Sequence, residues 1–134
     1  MDANTAKRFE QAIRDDGRYP PAAYEFLHRG LELATRSVFG SELPEGPRHI
    51  SGQQLCLGLR TLALESWGGL AREVLSSWNI RGTRDFGEMV FLLVGLELMG
   101  KQDSDQIEDF DDVYEFGEAF GAYEIQLDGF DGES

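Results

Sequence analysis

The sequence predicts a mainly α fold: a single domain of about six helices built from two pseudo-two-fold repeats. Apolar residues recur at helical spacing along most of the chain. Gly and Pro divide that pattern into lengths a helix would fill. One eight-residue stretch also occurs twice, which points to a duplicated unit.

The first helix covers about residues 4–16, with Ala6, Phe9, Ala12 and Ile13 on one face and Gly17 as its stop. Tyr19-Pro20-Pro21 opens a second helix reaching about residue 37, because Pro is tolerated in a first turn. Its inner stripe is Tyr24, Leu27, Leu31 and Ala34, with Phe26 at the edge. Residues 39–47 are a loop by composition. Ser51-Gly52-Gln53-Gln54 reads as a capping box for a third helix, which carries Leu55, Leu59, Leu62 and Ala63 to about Gly68-Gly69. A fourth helix over about 70–78 presents Leu70, Val74, Leu75 and Trp78, and Asn79 suits the left-handed residue that ends it. Thr83 is expected to cap a fifth helix over 84–99. That helix holds ten large apolar residues lying all round the cylinder, so it is expected at the centre of the fold. A short helix is expected over 117–123. Two short extended pieces, at 48–50 and 113–116, are placed to pair as a small two-stranded sheet across the pseudo-two-fold.

The repeat rests on residues 26–33 and 91–98, which agree at six of eight positions. At the same offset of 65, Ala6 meets Ala71, Gly17 meets Gly82, Gly52 meets Gly117 and Leu62 meets Leu127. Repeat one then spans about 5–69 and repeat two about 70–128, with a frayed end at 129–134. A length of 134 residues suits one domain.

The net charge of −13 is unevenly placed. Residues 1–84 carry 10 acids and 11 bases, whereas residues 85–134 carry 15 acids and only Lys101 as a base. Such a surface repels phosphate, so direct nucleic-acid binding and anionic membranes are disfavoured. The apolar run 89–99 is interrupted by Gly95 and Glu97 and is half the roughly 20 residues a spanning helix needs. The N-terminal residues have no apolar core of a signal peptide. Cys56, the single cysteine, cannot make an internal disulfide, and a cytoplasmic protein is expected.

No motif carries catalysis. Asp85-Phe86-Gly87 spells the magnesium-binding tripeptide of protein kinases, but no other kinase element accompanies it, and an acid here suits a helix start. EF-hand frames from Asp103 or Asp109 both place Tyr114 or Glu108 where ligand spacing demands something else, so no metal is predicted. Cys56 reads as a small core residue, and no nucleophile elbow places His28 or His49 beside a nucleophile. The fourth and fifth helices resemble a helix-turn-helix only in packing, because the second offers no basic face. No cofactor is implied.

Four ordered stretches carry a family resemblance. They are Tyr19-Pro20-Pro21-Ala22-Ala23-Tyr24-Glu25-Phe26, His49-Ile50-Ser51-Gly52-Gln53-Gln54-Leu55, the run 78–87 and the run 109–120. Together they resemble a repeat-protein family of planctomycete and verrucomicrobial bacteria that has no assigned function. The resemblance covers about 5–125. Asn79 and Gly82 stand where Gly and a small polar residue are expected, which leaves the turn intact. It implies one domain with an internal repeat, and no site residue.

The expected function is non-catalytic binding of a basic protein partner through an acidic, aromatic-containing C-terminal surface. Asp109, Asp111, Asp112, Glu115 and Glu118 are the candidate contacts, interleaved with Phe110, Tyr114, Phe116 and Phe120. The competing reading has those rings completing a core while the acids face water. Two alternatives come from other classes: a small enzyme or ligand-binding domain with a site near His49, and a nucleic-acid mimic.

Overall fold

The computed structural model describes residues 3–40, 50–96 and 106–120. These residues are mainly helical, in the order α1 (Ala3–Asp16), α2 (Pro21–Phe39), α3 (Gly52–Trp67), α4 (Ala71–Ser77) and α5 (Thr83–Gly95). Short 3-10 turns occupy Gly68–Leu70 and Ile107–Phe110, and residues 116–120 are helical again.

The helix ends follow local chemistry. Gly17 takes φ 71 and its N–H bonds the Ile13 carbonyl at 2.9 Å, closing α1. Pro20 is extended before α2 and Pro21 fills its first position. The capping box of α3 is complete: Gln54 N–H donates to Ser51 Oγ at 3.0 Å, and Ser51 N–H donates to Gln54 Oε1 at 2.8 Å. Asn79, at φ 66, ends α4. Ile80 N–H bonds Leu75 O and Asn79 N–H bonds Ser76 O, while the fully buried Ile80 and Leu75 supply the accompanying apolar contact.

The most extensive helix–helix contact joins α2 and α3. Leu27, Cys56, Leu59 and Ala63 are wholly buried there. Phe26 extends the core to Trp67 and Trp78, whose rings lie 5.2 and 5.8 Å from it. Ile13, Leu75, Phe86, Phe110, Phe116 and Phe120 belong to the same continuous cluster.

Four expectations are corrected. The α2–α3 pair, not α5, is the centre: α5 buries Phe86, Gly87 and Met89, whereas residues 90–94 are half-buried and Arg84 and Gly95 are exposed. No strand occurs among the described residues, so residues 113–116 do not pair. Asp112 turns the chain at φ 51 and the Val113 N–H is taken by Thr83 Oγ1, which leaves no ladder donor there. Leu70 is not on a buried face: α4 starts one residue later, and the preceding 3-10 turn leaves Leu70 65% exposed. Thr83 does not cap α5 but is its first residue, with Gly82 in the capping position. The expected extended residues 48 and 49, and helical residues 97–99 and 121–123, lie outside the described residues.

Burial also sets a pH limit. It pushes the Tyr24 hydroxyl and the Cys56 thiol up to about 12, and it raises Tyr19 and Tyr114 above the ordinary phenol value. Each group is raised in the folded state, so its contribution is complete below the unfolded value and is lost as pH climbs towards the folded one. Those unfolded values are about 8.5 for Cys and about 10 for Tyr. Urea midpoints should therefore hold from neutral pH to about 8.5 and fall steeply beyond about 10. The tyrosinate absorbance of Tyr19, Tyr24 and Tyr114 should rise together with helix loss. Full tyrosine ionisation near pH 10 with the helices intact would contradict this burial.

Candidate functional site

The site grows from the start of α5. Asp85, the third residue of that helix, points back over its own first turn. Its Oδ2 accepts from Arg81 N–H at 2.8 Å and Gly82 N–H at 3.1 Å. Its Oδ1 accepts the Tyr19 hydroxyl at 2.5 Å, which binds the α1–α2 turn to α5. The kinase-like tripeptide therefore spends its carboxylate on the fold. Beside it, Arg18 bridges Asp16 at 2.8 Å and Glu88 at 3.1 Å. The guanidinium hydrogen bond holds Asp16 below the usual carboxylate range.

Thr83, 2% exposed, fastens the acidic segment to α5. Its hydroxyl donates to Phe110 O at 2.6 Å and accepts from Val113 N–H at 3.2 Å. The Phe110 ring lies against Gly52 and Gly87, where an added Cβ would approach it to 3.0 and 2.8 Å. Tyr114 donates to the Cys56 carbonyl at 2.7 Å, and Phe116 and Phe120 pack at 5.1 Å between centroids. Phe110, Phe116 and Phe120 are buried and Tyr114 half-buried, so these rings complete the core and the outward face is acidic rather than acidic and aromatic. Tyr123 lies outside the described residues.

This anchoring shapes a cleft of about 240 Å³ between the α4–α5 corner and residues 111–116. Arg72, Arg81 and Arg84 line it together with Asp111, Asp112 and Glu115. Only one pair bridges the two groups: Arg84 Nη1 lies 3.0 Å from both oxygens of Asp111. Arg84 also reaches Glu88 at 3.5 Å. Arg81 donates to Ser76 Oγ at 3.2 Å, and the Arg72 guanidinium has no ion pair or hydrogen bond among the described residues.

Three of the five predicted acids thus meet in one cleft, and two do not. Asp109 is half-buried and accepts from Gln106 N–H at 3.1 Å, a local cap. Glu118 is exposed outside the cleft with its carboxylate unpaired among the described residues. Glu115 accepts from Gly117 N–H at 3.0 Å. Sequence reasoning missed the three arginines. A signal existed, since residues 72–84 hold Arg72, Arg81 and Arg84 against Glu73 alone, but it was outweighed by the acidic residues that follow.

Catalytic chemistry finds no assembly among the described residues. Cys56 is fully buried and its thiol stays protonated at neutral pH. His28 is exposed on α2 beside Glu32 at 3.2 Å, and His49 lies outside the described residues. No group of three or more His, Cys, Asp or Glu there is placed to hold a metal, and no helix there is long and apolar enough to cross a membrane. What the geometry can do is receive charged groups. No protein-family model matches the chain, and no curated protein or solved structure matches it either.

Proposed function

We propose that this protein is a non-catalytic interaction domain of the cytoplasm, whose acidic face over residues 106–120 binds a basic protein partner. The observation that carries the reading is the division of labour in that segment. Its rings are anchored in the core, while Glu108, Asp112 and Glu118 are exposed with no ion-pair or hydrogen-bond partner for their carboxylates among the described residues. A rigid backbone presenting unpaired like charges costs little ordering entropy when a partner docks. It also steers basic surfaces at long range. The duplicated architecture belongs to the same reading, in line with the repeat-family resemblance. Supporting it, Gly52 and Gly117, 65 residues apart, both lie in a first helical turn.

The test is capture of partners from lysate on the immobilised full chain at low and high salt. A triple variant, Glu108→Gln with Asp112→Asn and Glu118→Gln, provides the control. Basic proteins should be retained at low salt and released once the Debye length shrinks to about 3 Å near 1 M. The variant should retain far less under either condition. Retention indifferent to salt and to the three substitutions would sink the proposal.

A further inference from the structure

The cleft beside α5 carries more than negative charge, and this bears on what a partner must offer. Asp112 and Glu115 lie on one side in sequence, contributed by the segment after the Ile107–Phe110 turn, and Arg72 and Arg81 come from α4 and the α4–α5 turn. The Arg84–Asp111 pair neutralises itself. Two cations and two anions are left lining one void, without an ion pair between them. The helix N-terminus adds no free donor at Arg81 or Gly82, because both N–H groups are taken by Asp85. An anionic group entering the cleft would therefore be met by guanidinium side chains, and a cationic group by carboxylates.

At about 240 Å³ the cleft is smaller than the roughly 300–1,000 Å³ that small-molecule sites occupy. That size suits one or two side chains of a polypeptide. Resting on the interaction reading above, we propose that this cleft is the specificity element of the acidic face. It takes a partner segment bearing a basic and an acidic side chain a few residues apart, the base set against Asp112 and Glu115 and the acid against Arg72 and Arg81. Purely basic segments then gain from the general acidic field but meet two arginines at the cleft, a like-charge penalty that separates correct partners from merely basic ones.

The experiment measures fluorescence anisotropy of two labelled ten-residue peptides in a Gly/Ser/Ala host with the full chain. One contains Arg and Glu three residues apart, and the other contains Arg and Gln. The wild-type chain should bind the mixed peptide at least fivefold more tightly. In Arg72→Glu with Arg81→Glu, the mixed peptide should weaken at least fivefold while the Arg/Gln peptide strengthens. Both side chains are exposed, and far-UV circular dichroism checks that the variant is folded. Equal binding of the two peptides, or both affinities moving in the same direction on substitution, overturns the cleft proposal and leaves the interaction reading standing. Absence of binding by either peptide at low salt overturns the cleft proposal as well, while the interaction reading stands or falls on the salt-dependent capture of basic proteins. Competition by free arginine and glutamate as effective as the mixed peptide would assign the cleft to small zwitterions and overturn the peptide proposal.

Discussion

Gly58→Val should lower the unfolding free energy by roughly 3 kcal/mol, the upper end of the ordinary overpacking range. A Cβ at this position would lie 2.6 Å from the Ala34 Cβ, 3.1 Å from its Cα and 3.3 Å from its nitrogen. Ala34 has no side chain to swing aside, and it is 2% exposed on α2. The new methyl groups therefore press on backbone, and the α2–α3 contact must open along its length. Fully buried Leu27 and Leu59 would lose packing as it does. Gly95→Ala is the internal comparison, since a Cβ there meets nothing within 4 Å among the described residues. It should be neutral or gain up to about 1 kcal/mol from helix propensity. Urea denaturation of both variants decides the matter. If Gly58→Val unfolds at the wild-type midpoint, α2 and α3 do not cross as closely as described.

Asp85→Ala should cost about 2–4 kcal/mol, combining a lost N-terminal cap with lost hydrogen bonds to a charged group. The carboxylate serves three donors: the Arg81 and Gly82 N–H groups and the Tyr19 hydroxyl. Tyr19 is 4% exposed, so removing its acceptor orphans a buried hydroxyl. Tyr19→Phe removes donor and need together and should cost only about 1 kcal/mol. In the double variant the Tyr19 share of the Asp85→Ala loss should vanish, leaving a coupling of about 1–2 kcal/mol in the cycle. Additive losses would show that Tyr19 and Asp85 do not act as a pair.

Much of the helical layout was legible in short-range chemistry. Gly17, the Pro20-Pro21 entry, the Ser51–Gln54 capping box and the Asn79 stop each depend on a few neighbouring residues, and each does what its residue type favours. The inner stripe of α2 was equally plain, because helical spacing places Tyr24, Leu27 and Ala34 on one face whatever lies opposite. The errors share a different origin. Val113 has strand propensity, but its N–H is claimed by Thr83, a residue 30 positions away. Leu70 has the right spacing for a buried face, yet the 3-10 turn at Gly68–Leu70 resets the register just before α4. A run of apolar residues on α5 says they prefer burial, not how much neighbouring surface is available to bury them.

The candidate site divides in the same way. Charge is a property of composition, so the concentration of acids in the last third was readable from the chain itself. Burial of Phe110, Phe116 and Phe120 was not, since an aromatic ring between acids fits a core and a docking surface equally well until a second element covers it. The arginines opposite Asp111, Asp112 and Glu115 were hidden for a related reason: ion pairing and cleft formation depend on distance in space, which separation along the chain does not fix. The Gly17 stop, the Pro20-Pro21 entry, the Ser51–Gln54 capping box, the Asn79 stop and the net charge are local or additive, and the amino-acid sequence determined them by itself. The central helix pair, the inward turn of the rings and the meeting of both charge signs in one cleft arise from long-range packing, and only the tertiary structure decided them.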